Sequence, residues 1–178
     1  LIAADEEDAP ISAKNIPAFF HHLLERIDWR RDLHFHTKTT IDTLDYSGNG
    51  WNAGSKVIMA CRGPVIRKLG SDLTNFPSHR IIHKISCPSP GVLALQVNKW
   101  NGYAESREEV NALTDFLKQQ DLSQFPLIVL CDDAPFLSSQ FNNFLWVTFT
   151  RANPATDLYG VGEFTQDKHW GCAGSLII

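Results

Sequence analysis

The chain predicts an α/β fold: a mixed sheet with a parallel βαβ core and helices on both faces, preceded by a helix and a β-hairpin. Three stretches carry that expectation. Leu127 to Cys131 is an unbroken apolar run too short for a helix, introduced by Pro126 and closed by Asp132-Asp133, as expected of a strand covered on both faces. Before it, residues 92–98 read as a strand and residues 106–120 as a helix whose Val110, Leu113, Thr114, Phe116 and Leu117 face the sheet. The crossover makes the two strands parallel. After it, Pro135 breaks the chain and Ser138 or Ser139 caps a helix running through Phe149, with Phe141, Phe144, Leu145 and Thr148 inward. Asn153-Pro154 ends that helix, since proline disfavours helical geometry in the residue before it.

Residues 1–15 read as an acidic linker or tail, and residues 16–178 as a single α/β domain. Asn15 caps a helix with Pro17 in its first turn and Ile16, Phe19, Phe20, Leu23, Leu24 and Ile27 at helical spacing. His21 and His22 are adjacent, so their side chains diverge by about 100° and are expected in solvent. A strand containing His34 and His36, a glycine-rich loop with Trp51 covering a sheet edge, and a second strand, residues 56–61, make the hairpin. His34 and His36 share a side, as two metal ligands or a polar sheet face would. The three glycines of residues 47–55 match neither a phosphate-binding loop nor a dinucleotide fingerprint.

Further along, residues 65–76 read as a short helix or turn and residues 79–86 as a strand before the Cys87–Gly91 turn. Residues 158–161 resume strand character. Asp167 to Gly174 is expected as an irregular loop before a final apolar segment.

Composition narrows the class. A hydrophobic fraction of 43% and a charged fraction of 20% are those of a globular protein, and a net charge of −4 argues against general nucleic-acid binding. No apolar run approaches the roughly 20 residues of a membrane helix, and the acidic start lacks the basic region of a signal peptide. A cytoplasmic location is the expectation. Cys61, Cys87, Cys131 and Cys172 stand singly, so reduced thiols are expected and structural zinc is not. An opening without methionine and an end inside an apolar run read as a fragment of a longer chain.

Ligands of open α/β sheets gather beyond the carboxyl ends of the strands, which points to residues 98–103 and to Asp132-Asp133. The Asp pair suits a divalent cation, a small anion or acid–base work if a third group joins it, and suits better a turn and cap stabilised by the helix dipole. Arg151 complements the helix C-terminus and can pair with one of those acids. His169, Trp170 and Cys172 share a loop, but side chains so close in sequence rarely align as thiolate and imidazole, so a structural or pocket-lining role is expected.

A strand ending in Asp132-Asp133, a short spacer and a helix carrying Trp146, Thr150 and Arg151 as Trp-x-x-x-Thr-Arg resembles the C-terminal domain of UbiD-family aromatic acid decarboxylases. The likeness runs from about Gly91 to Ile178, leaving residues 16–80 as an elaboration. Departures are Ala134-Pro135-Phe136, where the family is more acidic, and Val147-Thr148-Phe149, where it has small residues.

The resemblance implies a lid or oligomerisation domain of a carboxy-lyase acting on aromatic or unsaturated acids of the 4-hydroxybenzoate kind. By the same likeness, prenylated FMN and a divalent metal such as manganese reside in an upstream domain of the same polypeptide. No catalytic residue, bound cofactor or metal ligand is then expected on this chain, whereas a homo-oligomer is. Lys99, Trp100, Tyr103, Phe164 and Trp170 are the residues implied to face the substrate pocket. The alternatives are a stand-alone binding module with a metal or anion at Asp132-Asp133, and an assembly domain pairing through residues 19–27 or a sheet edge.

Overall fold

The computed structural model describes residues 2–4, 11–41 and 50–178. The chain opens on β1 (Ile2–Ala4), followed by α1 (Ile16–Arg26), β2 (Leu33–Thr39) and β3 (Gly54–Arg62). β3 is the middle of a three-stranded sheet, parallel to β1 and antiparallel to β2. Part of the expected linker is therefore a strand; its residues 5–10 lie outside the described residues. As the sequence implied, Asn15 caps α1, its Oδ1 accepting from Ala18 N at 3.3 Å, with Pro17 in the first turn.

Next come β4 (Lys84–Ser89), β5 (Val92–Gln96), α2 (Tyr103–Leu117) and β6 (Leu127–Cys131). Then follow α3 (Ala134–Ser139), α4 (Phe141–Thr150), β7 (Tyr159–Gly160), β8 (Glu163–Gln166), β9 (His169–Cys172) and β10 (Leu176–Ile177). The main sheet has the order β4-β5-β6-β10-β7, with β5, β6 and β10 parallel and the two outer strands antiparallel. β5 and β6 run in register from Val92↔Leu127 to Gln96↔Cys131, so the predicted βαβ core is present with β6 central.

The unbroken apolar pattern of β5 and β6 has its cause in two cores. Val92, Ala94, Leu127, Val129 and Cys131 face a core completed by α1, α3, α4 and the β2–β3 hairpin. Leu93, Leu95 and Ile128 face the other, completed by Leu113 and Leu117 of α2. Each fully buried Leu or Ile contributes roughly 1.5–3 kcal/mol, so strand residues with no polar face are stable only under this double cover.

Several expectations are corrected. Asp133, not Ser138 or Ser139, caps the helix after β6, its Oδ1 accepting from Phe136 N at 2.9 Å. One expected helix is two, because Gln140 is extended (φ −150°, ψ 145°) and re-aims α4 so that Phe144 enters the core. Residues 65–76 form neither helix nor turn over most of their length; they run extended across α1, where Arg67 Nη1 donates to Leu24 O and Ile27 O, both at 2.7 Å. The expected strand at 79–86 begins at Lys84 and continues through Pro88, which an edge strand tolerates. Asp167 to Gly174 is not irregular: Asp167 (φ 51°) and Lys168 (φ 65°) form the two-residue turn of the β8–β9 hairpin. Trp51 is 86% exposed and covers no edge, and His22, expected in solvent, is 8% exposed.

Candidate functional site at the carboxyl ends of the strands

β5 and β6 end side by side, and the chain leaves each into polar residues. After β5, Asn98 Oδ1 lies 2.7 Å from His83 Nε2, and Asn98 Nδ2 donates to Glu109 Oε1 at 2.7 Å. This chain of bonds fixes the loop against α2. The loop then turns Trp100 outward, 61% exposed, its ring edge-on to Tyr103 with centroids 5.6 Å apart. Lys99 is exposed beside it. Gly102, at φ 103°, gives the chain its entry into α2 three residues earlier than the apolar periodicity implied.

After β6, Asp132 and Asp133 are both exposed. A cleft of about 150 Å³ lies between the two loops, with Val97, Trp100, Val110 and Cys131 among its walls and Asn98, Glu109 and Asp132 supplying polar groups. Tyr103 Oη lies 3.4 Å from Thr156 Oγ1, which ties this mouth to the turn after α4. That turn is held by Asn153, whose Oδ1 accepts from Ser55 Oγ, and Ala155 N donates to the same hydroxyl at 2.8 Å.

The expected pocket residues do not converge. Lys99, Trp100 and Tyr103 share the carboxyl end of β5, whereas Phe164 and Trp170 belong to the β8–β9 hairpin. β9 precedes β10, whose start pairs with the start of β6 (Leu176↔Leu127), so the hairpin lies at the opposite end of the sheet. There Trp170 packs edge-on against Phe35 at 5.7 Å, and His169 Nε2 lies 2.9 Å from Arg30 O.

The helix motif is local. Thr150 Oγ1 donates to Trp146 O at 2.6 Å, and the Arg151 guanidinium stacks over Trp146 at 4.8 Å from the ring centroid. Arg151 therefore meets that ring rather than Asp132 or Asp133, a cation–π contact replacing the expected ion pair.

Thiol chemistry is disfavoured at this mouth and at the hairpin. Burial pushes Cys131 up to about 12, with Asp132 and Asp133 adding to it, and pushes Cys172 to about 12. Among the described residues no three His, Cys, Asp or Glu side chains gather to hold a metal ion. Asp133 is engaged as the cap of α3, and among the described residues no third ligand stands beside the pair. Sequence reading placed Asn98 at the strand end but missed Glu109, Ser55 and the bonds of Asn153, whose partners are remote in sequence.

Residues 1–61 match the family model described as 3-octaprenyl-4-hydroxybenzoate carboxy-lyase C-terminal domain, UbiD_C. Over these residues the chain is similar to the UbiD C-terminal domain. The matched stretch runs from β1 into β3 and is not the one holding Asp132, Asp133, Trp146, Thr150 and Arg151. An uncharacterized protein of Chlamydia trachomatis is 35% identical over 90% of this chain and 26% of its own length. One of Chlamydia caviae is 36% identical over 85% of this chain and 24% of its own. A Chlamydia pneumoniae protein named as a component of 4-hydroxybenzoate decarboxylase is 35% identical over 78% of this chain and 22% of its own. The chain spans about a quarter of the length of these curated relatives. No solved structure matches. No helix among the described residues is long and apolar enough to cross a membrane.

Proposed function

We propose that this UbiD-type domain is the lid and assembly region of a decarboxylase acting on aromatic or unsaturated acids of the 4-hydroxybenzoate kind, and that it does not decarboxylate alone. The observation that carries the reading is the Trp100–Tyr103 pair, 61% and 46% exposed at the carboxyl end of β5. An edge-to-face aromatic pair open to solvent beside a partly apolar cleft is a surface made to be covered, and an aromatic acid beneath it would bury its ring. Glu109, Asp132 and Asp133 make the same mouth acidic, so a substrate carboxylate would point away from it, toward the rest of the polypeptide. Prenylated FMN, with a divalent metal such as manganese, belongs in this reading to that remaining part, and supplies the electron sink for decarboxylation when bound. The Chlamydia pneumoniae relative's name supports the substrate class.

The test uses both lengths of protein. In the whole enzyme Trp100→Ala should raise KM roughly tenfold with kcat less affected, the signature of lost ring burial. The chain alone, mixed with prenylated FMN, manganese and 4-hydroxybenzoate, should show no turnover. Stoichiometric cofactor binding with turnover by the chain alone would overturn the proposal.

A further inference from the structure

The turn after α1 and the turn after α4 are the same turn. In the first, Asp28 N donates to Asp32 Oδ2 at 2.9 Å, Arg31 N and Asp32 N donate to Asp28 O at 3.0 and 2.9 Å, and Arg30 N donates to Asp28 Oδ1 at 3.1 Å. In the second, Asn153 N donates to Asp157 Oδ2 at 2.7 Å, Thr156 N and Asp157 N donate to Asn153 O at 3.0 and 2.8 Å, and Ala155 N donates to Asn153 Oδ1 at 3.2 Å. Each of these four bonds has its counterpart between residues offset by 125.

The same ungapped offset places Asp8-Ala9-Pro10 on Asp133-Ala134-Pro135 in the sequence, and Phe19, Arg26 and Leu33 on Phe144, Arg151 and Leu158. It carries Asn15 and the start of α1 onto Gln140 and the start of α4. Strand topology repeats as well. β1 is parallel to β3, which is antiparallel to β2; β6 is parallel to β10, which is antiparallel to β7. Ala53-Gly54-Ser55 opens β3, and Ala173-Gly174-Ser175 leads into β10.

We propose that residues 1–61 and 126–178 are two copies of one strand–helix–strand–strand unit, and that the second is seated on the first as its partner within a single chain. Each copy contacts the other's turn. Ser55, at the start of the first copy's last strand, bonds Asn153 and Ala155 in the second copy's turn. Gly171 and Cys172, just before the second copy's last strand, lie on the first copy's turn: Cys172 N donates to Trp29 O at 3.3 Å, and a Cβ on Gly171 would stand 2.8 Å from that oxygen. Between these contacts Phe20 of α1 meets Phe144 of α4 edge-on at 5.4 Å. Each copy thus reaches the other's turn, through Ser55 in one direction and through Gly171 and Cys172 in the other.

Two consequences follow. The family match on the first copy and the Asp-Asp and Trp-x-x-x-Thr-Arg resemblance on the second become equivalent positions: Glu7, Asp8, His21, Glu25 and Arg26 correspond to Asp132, Asp133, Trp146, Thr150 and Arg151. The inward face of α1, which a lone copy would offer to a separate chain, is closed by α4, so self-association does not run through it.

This inference rests on the two turns and not on the decarboxylase reading, so its test is stability rather than activity. In the 178-residue chain, Asp32→Ala and Asp157→Ala should each raise the unfolding constant about tenfold, within threefold of one another, because each removes the same charge-assisted bond. Ser55→Ala and Asn153→Ala should be coupled, the double variant being less destabilised than the two singles combined, and the coupling should be unchanged over a hundredfold dilution. An Asp157→Ala effect below twofold beside a tenfold Asp32→Ala effect would overturn the equivalence. Coupling that is absent, or that weakens on dilution, would overturn the pairing within one chain.

Discussion

Trp29 is 2% exposed, and its Nε1–H donates to Pro126 O at 2.8 Å, joining the turn after α1 to the entrance of β6 across 97 residues of sequence. Trp29→Phe removes that donor and part of the ring while leaving the site apolar. Pro126 O keeps the amide of Leu176 at 2.9 Å as a partner, so no orphaned carbonyl is created. The lost bond contributes about 1 kcal/mol and the smaller ring leaves a void of similar cost, about 2 kcal/mol together. For a chain of this size that lowers Tm by roughly 4–8 °C. Trp29→Ala, which removes the whole ring, should cost about 3–5 kcal/mol. Differential scanning calorimetry measures both. A Trp29→Phe protein melting within about 1 °C of wild type would refute the view that this contact joins the two halves of the fold.

Three other outcomes follow from single groups. Burial raises Cys61 to about 11 and Cys131 and Cys172 to about 12, so at pH 8 a thiol reagent should label none of these three in the folded chain and all of them after unfolding. Arg30, hydrogen-bonded to Asp28 at 2.9 and 2.8 Å, holds the Asp28 carboxyl below its ordinary range, with burial opposing. That stabilisation is present above about pH 4 and is lost as pH falls through the depressed value, so Asp28→Asn should flatten the acid limb of a Tm-against-pH curve; an unchanged limb would contradict it. Asp133→Ala should cost about 1 kcal/mol by uncapping α3, read from urea midpoints, whereas Ser138→Ala should cost far less than a cap's worth.

Much of the central architecture was legible because its signals are local. Leu127 to Cys131 is apolar throughout because both faces are covered, and Asn15 with Pro17 announces α1 at the position the structure gives it. Features set by distant partners were not legible. The break between α3 and α4 falls at Gln140, a residue with no breaking tendency, because Phe144 must reach Phe20. The β8–β9 hairpin escaped because its turn uses Asp167 and Lys168 at positive φ, where glycine or asparagine is the usual signal. At the candidate site, Trp100 and Tyr103 could be placed beyond β5, but Phe164 and Trp170 could not be separated from them without knowing that β10 starts beside the start of β6. The repeat had a visible trace in Asp-Ala-Pro occurring twice, at Asp8 and Asp133; the positions between are too divergent for that trace to decide anything without the turns.

Native-state hydrogen exchange bears most directly on whether the two units share one core. Ala60 N, bonded to Asp32 O at 2.9 Å in the first unit, and Ile178 N, bonded to Ile128 O at 3.0 Å in the second, should exchange only through global unfolding, with opening free energies that agree within about 1 kcal/mol. An Ala60 amide that opens several kcal/mol more easily than Ile178 would mean that the first unit unfolds without the second, and the shared core would be disproved.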